Sequence, residues 1–380
     1  MSKIPIEMNK SQIITFDRNL PFNALPDLPP SEDIIDKEIL IQWGLASRAL
    51  AELNKNIMRI PNPLMLVNTI SLQEAQSSTA IENIFTTEDE LYKAVSDSVK
   101  EETANPATKE VLRYREALWG GYKELTEKKA FDKTIAIKIF QQIKNTKQAI
   151  RPPQSQVVIK RGQSEFKPGE TIYTPPRGTG IIEKKLDNLF SFLNESNGFD
   201  PLLKMVIGHY QFEAIHPFVD GNGRTGRVLN LLYLVDQKLL SHPVLYLSKF
   251  IINHKDDYYH HLSGVTQRSA WKPWILFMLR AVQGTSQLSN QKIDEILAQM
   301  DSTYKYANSK FKWYSIELNQ VLFSQPYIKQ KLIGEITRIR SRTTITKYML
   351  QLTELGILSA KEDGREVFYV NNDLIRILES

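Results

Sequence analysis

Cysteine is absent from the 380 residues, which excludes disulfides and thiolate metal sites and fits a reducing compartment. Long apolar runs are missing too. The opening MSKIPIEMNK lacks the apolar stretch of a signal peptide, and nothing elsewhere approaches the roughly 20 apolar residues a membrane helix needs. The expectation is a cytoplasmic protein with no membrane partner. Neither sign of charge dominates: 48 Lys and Arg stand against 43 Asp and Glu, a formal net charge of +5, so charge alone does not argue for nucleic acid. No disorder signature is present either, because 42% hydrophobic and 24% charged residues are ordinary globular proportions. The length suffices for more than one domain and a substantial core. No GxxxxGK[ST] phosphate loop occurs anywhere.

What the chain does have is a dense stretch from His216 to Arg227, HPFVDGNGRTGR, followed at Val228 by the apolar run VLNLLYLV. The run is apolar on every side and too short to span a membrane, so it predicts the central helix of a helical core, with Arg224 and Arg227 in its first turn. A helix start leaves backbone N–H groups without partners and carries partial positive charge, so it suits an anion, and phosphate is the natural guest. Gly221 and Gly223 let the backbone approach phosphate oxygens, and Asn222 has an amide to donate. Arg224 and Arg227, spaced i, i+3, share a face from which both can reach one polyphosphate. Asp220 is placed to hold Mg2+ against those phosphates, and His216 can take a proton near neutral pH. Gly221 to Gly226 also spells GxGxxG. That fingerprint needs a preceding strand, whereas LLKMVIGHYQFEAI has helical periodicity and begins with a capping Asp200 and a first-turn Pro201.

The stretch matches HxFx(D/E)GNGRxxR at every defining position, and the chain thereby resembles the Fic family, whose members are mostly protein adenylyltransferases. The resemblance implies a mostly α fold: a Fic helical core with a β-hairpin flap, followed by a small winged helix-turn-helix domain. It implies ATP and Mg2+, a target protein carrying a Ser, Thr or Tyr hydroxyl, and His216 as general base. It also implies a nucleotide site built from Gly221, Asn222, Gly223, Arg224, Thr225, Gly226 and Arg227, with Asp220 on the metal. Ser78, Glu82 and Asn83 resemble the (S/T)xxxE(G/N) inhibitory motif, in which Glu82 pairs with Arg227 and denies the γ-phosphate its clamp. A tyrosine borders the nucleotide base, and Tyr258, beside Tyr259, is the better match. Removal of AMP, with Glu82 positioning water, is the runner-up within the enzyme class. A nucleotide-sensing transcriptional regulator is the alternative outside it.

Along the chain, residues 1 to 31 hold Pro21, Pro26, Pro29 and Pro30 and read as an extended arm. Ile34, Ile35, Leu40, Ile41, Leu45, Leu50 and Leu53 predict a helix from about Asp33 to before Pro61. A second helix opens near Pro63 and stops near Asn83, and a third starts at Thr87 with Glu90 completing a capping box. Glu82 then sits at the unfavourable end of its helix dipole and gains from a cationic partner. Two helices follow between Pro106 and Ile150. SQVVIK and ETIYTPP predict two strands around the turn Lys167, Pro168, Gly169. By resemblance this is the flap, registering the target's backbone through Val157, Val158 and Ile159. Phe218 is expected to anchor the motif loop in the apolar core, and His209 and His242 to be packing or surface residues.

The polar stretch 284 to 310, with Ile293, Ile296, Leu297, Met300 and Tyr304 at helical spacing, reads as a linker helix. The last seventy residues read as a separate unit. Ser341 to Leu355 predicts a helix with Ile345, Tyr348, Leu352 and Leu355 on one face, then Gly356, then a hairpin turning at Asp363 and Gly364. Residues 331 to 347 hold five basic residues and one acidic, enough for a few phosphate contacts, so DNA reading, protein interaction and homodimerisation all stay open for this unit. The organisation expected is an N-terminal helical region over 1–100, a catalytic core over 101–284, the linker over 285–310 and the winged helix over 311–380.

Overall fold

The computed structural model describes residues 16–31, 34–58, 60, 63–96, 98–127, 130–161, 169–337, 339–364 and 366–379. The N-terminal half runs α1 (Lys37–Ile57), α2 (Pro63–Ile81), α3 (Glu88–Ser96), α4 (Ser98–Thr103), α5 (Pro106–Thr126) and α6 (Lys133–Lys144). A two-stranded antiparallel hairpin, β1 (Ile159–Arg161) and β2 (Glu170–Tyr173), precedes α7 (Ile181–Asn194), α8 (Pro201–Ile215) and α9 (Asn222–Asp236). Then come α10 (Leu247–Asn253), α11 (Lys255–Arg268) and the long α12 (Trp271–Lys310). The C-terminal elements are α13 (Ile316–Leu322), β3 (Tyr327–Ile328), α14 (Gln330–Thr337), α15 (Arg342–Glu354), β4 (Ser359–Asp363), β5 (Glu366–Val370) and α16 (Asn372–Glu379).

The helical core forms around α8 and α9 because both are apolar all round. Every residue of α8 from Leu202 to Ile215 is buried, and so is α9 from Arg224 to Leu234, which is what a helix without a polar face demands. Asp200 caps α8 by accepting from the Leu202 N–H at 2.8 Å, with Pro201 at the first helical position as expected. Trp274 of α12, fully buried, donates its indole N–H to the Val206 carbonyl at 3.0 Å and locks α12 onto α8.

Several expectations shift. The first helix starts at Lys37, four residues after Asp33, because Asp36 takes the cap by accepting from the Ile39 N–H at 2.9 Å; Ile34 and Ile35 lie ahead of it. Thr87 caps α3 by accepting from the Glu90 N–H at 3.3 Å. The expected linker helix is not separate. Residues 284–310 continue α12 without a break for 40 residues in all, about 60 Å of helix. Within the stretch Asp294 accepts from Asn56 at 3.1 Å, and just before it Gln283 accepts from Gln42 at 2.7 Å, both partners on α1.

The last elements follow the helix, glycine, hairpin order read from the sequence for 341 to 370, with α13 and α14 ahead of it and β3 added to give a three-stranded sheet in the order β3-β5-β4. Ser341 caps α15, and Ile345, Met349 and Leu352 are its buried face. Met349 replaces Leu355 there, and Tyr348 stacks on Trp313 at 3.7 Å between ring centroids. No helix among the described residues is long and apolar enough to cross a membrane.

One close approach sets the spacing of α5 and α9. A Cβ at Gly121 would overlap the side chain of Leu232, itself fully buried. Gly121→Val should therefore lower stability by about 1–3 kcal/mol. Gly44, in α1 with nothing within 4 Å of its would-be Cβ, should tolerate Ala and gain roughly 0.5–1 kcal/mol. Melting curves of the two variants against wild type check both signs.

Candidate active site

The motif loop is fixed before any side chain reaches the cleft. His216 ends α8 in the left-handed conformation with φ 50°, and Gly221 opens α9 with φ 79°. Phe218 stacks on Phe140 of α6, 4.1 Å between centroids and nearly parallel, which is the expected apolar anchor. Asn222 staples the loop: its Oδ1 accepts from the Phe218 N–H at 2.8 Å and its Nδ2 donates to the Phe218 carbonyl at 2.9 Å. Its amide is thus engaged at both ends by the Phe218 backbone inside the loop. The Thr225 hydroxyl donates to the Gly221 carbonyl at 2.9 Å. Gly226 is a packing glycine, since a Cβ there would lie 2.6 Å from Glu213 Oε1 and 3.1 Å from Phe212. What remains for an anion is the backbone. The Thr225 N–H makes the first bond of α9, to the Gly221 carbonyl at 3.0 Å, so the N–H groups of Asn222, Gly223 and Arg224 precede the helical ladder.

The two arginines do not converge. Arg224, 2% exposed, pairs with Glu110 of α5 and lies 3.8 Å from Asp220. Arg227, 1% exposed, turns to α2, donating from Nε to the Ser78 hydroxyl oxygen at 2.7 Å and from Nη2 to the Ser78 carbonyl at 2.9 Å and Glu82 Oε1 at 2.8 Å. Glu82 lies one residue beyond α2, where Asn83 takes φ 61° and accepts from Lys255 at 3.1 Å. A Cβ on Gly223 would be 2.6 Å from Glu82 Oε1 and 2.9 Å from Arg227 Nη1. The Glu82 carboxylate therefore rests on the start of α9, the place a helix offers an anion. Burial pushes the Glu82 carboxyl up, but Arg227, and after it Arg224, outweigh burial and hold it below its ordinary value.

A cleft of about 170 Å3 opens beside this pair, lined by Glu82, Gly223, Arg227, His216, Glu213, Tyr258, Tyr259 and, from the hairpin, Ile159 and Tyr173. Tyr258 is 2% exposed, with its hydroxyl 2.9 Å from His209 Nε2. The hairpin is shorter than expected: strand pairing begins at Ile159, opposite Tyr173, and Val157 and Val158 precede it unpaired. Lys167 and Pro168 of the expected turn lie outside the described residues. Asp220, whose side chain is 64% exposed, is 2.7 Å from Lys144. One exposed carboxylate beside a phosphate position is a donor set Mg2+ accepts, since it is commonly held by one or two carboxylates plus phosphate oxygens.

Three groups around the loop, of which Arg151 and Glu213 are buried, had no sequence signal of their own. Glu110 is the Arg224 partner. Arg151, 2% exposed, donates from Nε to the His216 carbonyl at 2.8 Å and from Nη2 to the Pro176 carbonyl at 2.5 Å and the Ile215 carbonyl at 3.5 Å. It thereby ties the last carbonyls of α8 to the segment after β2, a favourable place for a cation at a helix end. Glu213, one turn before His216, leaves Oε1 without a partner, and burial raises its carboxyl to about 7.

The chain matches three family descriptions: Fic/DOC family N-terminal over residues 40–123, Fic/DOC family over 130–234, and protein adenylyltransferase SoFic-like, C-terminal domain, over 298–374. This chain is a Fic-domain protein. It is 29% identical over 115 residues to protein adenylyltransferase Fic of Drosophila grimshawi, covering 30% of this chain and 22% of that one. It is 37% identical over 65 residues to protein adenylyltransferase fic-1 of Caenorhabditis briggsae, covering 16% and 13%. The match spans about a fifth of the length of such curated relatives. Among solved structures, a Fic family protein from Desulfovibrio desulfuricans G20 covers 90% of this Fic-domain chain and 98% of its own, at 18% identity and a TM-score of 0.55, a likeness of fold.

Burial, then the nearby Arg151, lowers the His216 imidazole to about 4, while its Nδ1 faces the Glu213 carbonyl at 3.4 Å. His216 is neutral at pH 7, and an Nδ1–H tautomer leaves Nε2 a lone pair. The unfolded chain takes up this proton near the ordinary value of 6.5 and the native chain only near 4. The contribution to stability is therefore complete above about pH 6.5 and is lost as pH falls toward 4. An NMR titration of His216 should give a midpoint near 4, and Arg151→Met should raise it; a midpoint near 6.5 in wild type would contradict the lowering.

Proposed function

We propose that the chain is a protein adenylyltransferase that moves AMP from ATP to a Ser, Thr or Tyr hydroxyl of a target protein, and that Glu82 holds it inactive. The observation that carries the reading is the buried Arg227, satisfied by a carboxylate resting on the start of α9. A buried guanidinium demands an anion, and a γ-phosphate at the same place would compete with Glu82 for it.

In this reading neutral His216 takes the proton of the target hydroxyl as its oxygen attacks the α-phosphorus. The bond from that phosphorus to the bridging oxygen breaks and pyrophosphate leaves. The N–H groups of Asn222, Gly223 and Arg224 face charge growing on the phosphates. Asp220, which here pairs with Lys144, is the residue that would hold Mg2+, and the ion would supply charge neutralisation on the phosphates when bound. Arg227 grips the γ-phosphate once Glu82 withdraws. Arg151 positions His216 by its carbonyl, and Ile159 at the start of β1 is where a target strand would add to the hairpin.

Hydrolytic removal of AMP is the second reading, because the ionised Glu82 lines the same cleft as His216 and could orient water.

Labelled ATP with Mg2+ tests both. Glu82→Gly should transfer label to itself or to added protein at least about tenfold faster than wild type, and His216→Ala should transfer none. If Glu82→Gly binds ATP yet transfers nothing, the transferase reading fails. If wild type strips AMP from a labelled protein and Glu82→Gly does not, the hydrolytic reading takes its place.

A further inference from the structure

A second cavity, of about 260 Å3, lies on the other side of α2 between α3, α10 and the end of α16. At about 3.6 residues per turn, Gln73, Gln76, Ser77 and Ala80 project away from Ser78 and Glu82, and all four line it. The cavity falls below the range of roughly 300 Å3 upward that holds drug-sized ligands, so it suits a small molecule.

Its polar groups are arranged by charge. Gln73, 4% exposed, donates from Nε2 to the Leu378 carbonyl at 2.8 Å, which fixes its amide, and its Oε1 has no partner. Glu88, at the start of α3, and Glu379, at the end of α16, both line the cavity. Burial and then the neighbouring Glu379 push the Glu88 carboxyl up to about 7, the response of two like charges brought together. Lys249 of α10 lines the same cavity, where its charge acts against the rise of Glu88, and it makes no salt bridge within 4.0 Å among the described residues. A buried carbonyl-type acceptor and two crowded carboxylates call for a cationic donor, while Lys249 calls for an anion. A bare metal ion would meet the repulsion of Lys249. A zwitterion satisfies both ends, and Ile252 and Leu378 supply an apolar wall.

We propose that this cavity binds a free α-amino acid, whose ammonium group donates to Glu88, Glu379 and Gln73 Oε1 and whose carboxylate meets Lys249. Its wall is the helix that carries Glu82, so occupancy bears on the inhibitory pair; that consequence alone rests on the transferase reading.

The test is calorimetric titration of the full chain with each of the common amino acids, followed by the N-acetyl and carboxamide forms of any that bind. At least one amino acid should bind with a dissociation constant in the millimolar range or tighter, and both capped forms should bind about tenfold or more weakly. Lys249→Met and Glu88→Gln should each weaken it about tenfold while melting as wild type does without ligand. The proposal is overturned if no amino acid binds, if the capped forms bind as well as the free one, or if putrescine or Ca2+ binds where amino acids do not. The capped-ligand comparison uses wild type alone and stands even where a variant misfolds. An absence of binding would leave the AMP-transfer reading standing, and a failure of AMP transfer would leave the binding result standing.

Discussion

A guanidinium that is 1% exposed is the constraint on which the site depends. Taking Arg227 out of water is affordable only with charged and polar partners in close geometry, and α2 supplies them: two oxygens from Ser78 and one from Glu82. The consequence runs in both directions. Arg227 holds α2 against α9, and α2 in turn fixes what stands at the positive end of α9. Any anion that takes over from Glu82 must satisfy the same cation, so the packing of α2 and the occupancy of the helix start are one equilibrium.

That equilibrium is tied to the end of the chain. The Gln73 amide of α2 donates to Leu378 of α16, and Lys292 of α12 donates to the carbonyls of Ile377 and Leu378 at 2.8 and 2.7 Å. Asp89 of α3 accepts from Tyr327 of β3 at 2.7 Å and from Lys361 of β4 at 2.5 Å. The C-terminal sheet and α16 thus rest on the two helices flanking Glu82, and α12 carries this arrangement back to α1 and α8. A displacement of the C-terminal elements costs contacts on α2 and α3, the helices on either side of Glu82, as well as on α12.

What the sequence made legible was local or dense. The helix pair around His216 to Arg227 announced itself through apolar character without a polar face, and Asp200, Pro201 and Asn83 marked ends through capping chemistry that works within a few residues. Glu82 was legible because a short motif and an unfavourable helix end pointed the same way, and the structure sets it against Arg227. What escaped depends on distant chain. Arg151 sits in IRPP with no periodicity, and only the fold carries it to carbonyls 64 and 65 residues away. Asn222 looked like a ligand donor because its amide is capable of donating; that Phe218 engages both ends of it is a property of the closed loop. The linker reading of 284 to 310 followed its polarity, whereas Asp294 is paired with α1 and Thr285, Ser286, Ser289 and Lys292 are buried.

Three carboxylates lie in the field of Arg227, and the direct ion pair decides which of them carries the charge. Glu74 of α2 is held by Tyr114 at 3.2 Å and by the Ser248 N–H and hydroxyl at 2.8 and 2.5 Å. Burial nevertheless raises it to about 7 despite these donors and Arg227, and Glu213 is raised to about 7 as well. Glu82 alone, at the cleft edge with its side chain 33% exposed, is lowered. Glu82 alone of the three accepts directly from Arg227, at 2.8 Å, and also feels Arg224, so attraction exceeds the cost of desolvation there and not at the other two. The same position lets Glu82 leave toward solvent, which neither Glu74 nor Glu213 can do without opening the core. The Glu82 charge thus stands at the one of the three positions that is both ionised and open to solvent, and it is this edge carboxylate that pairs with Arg227.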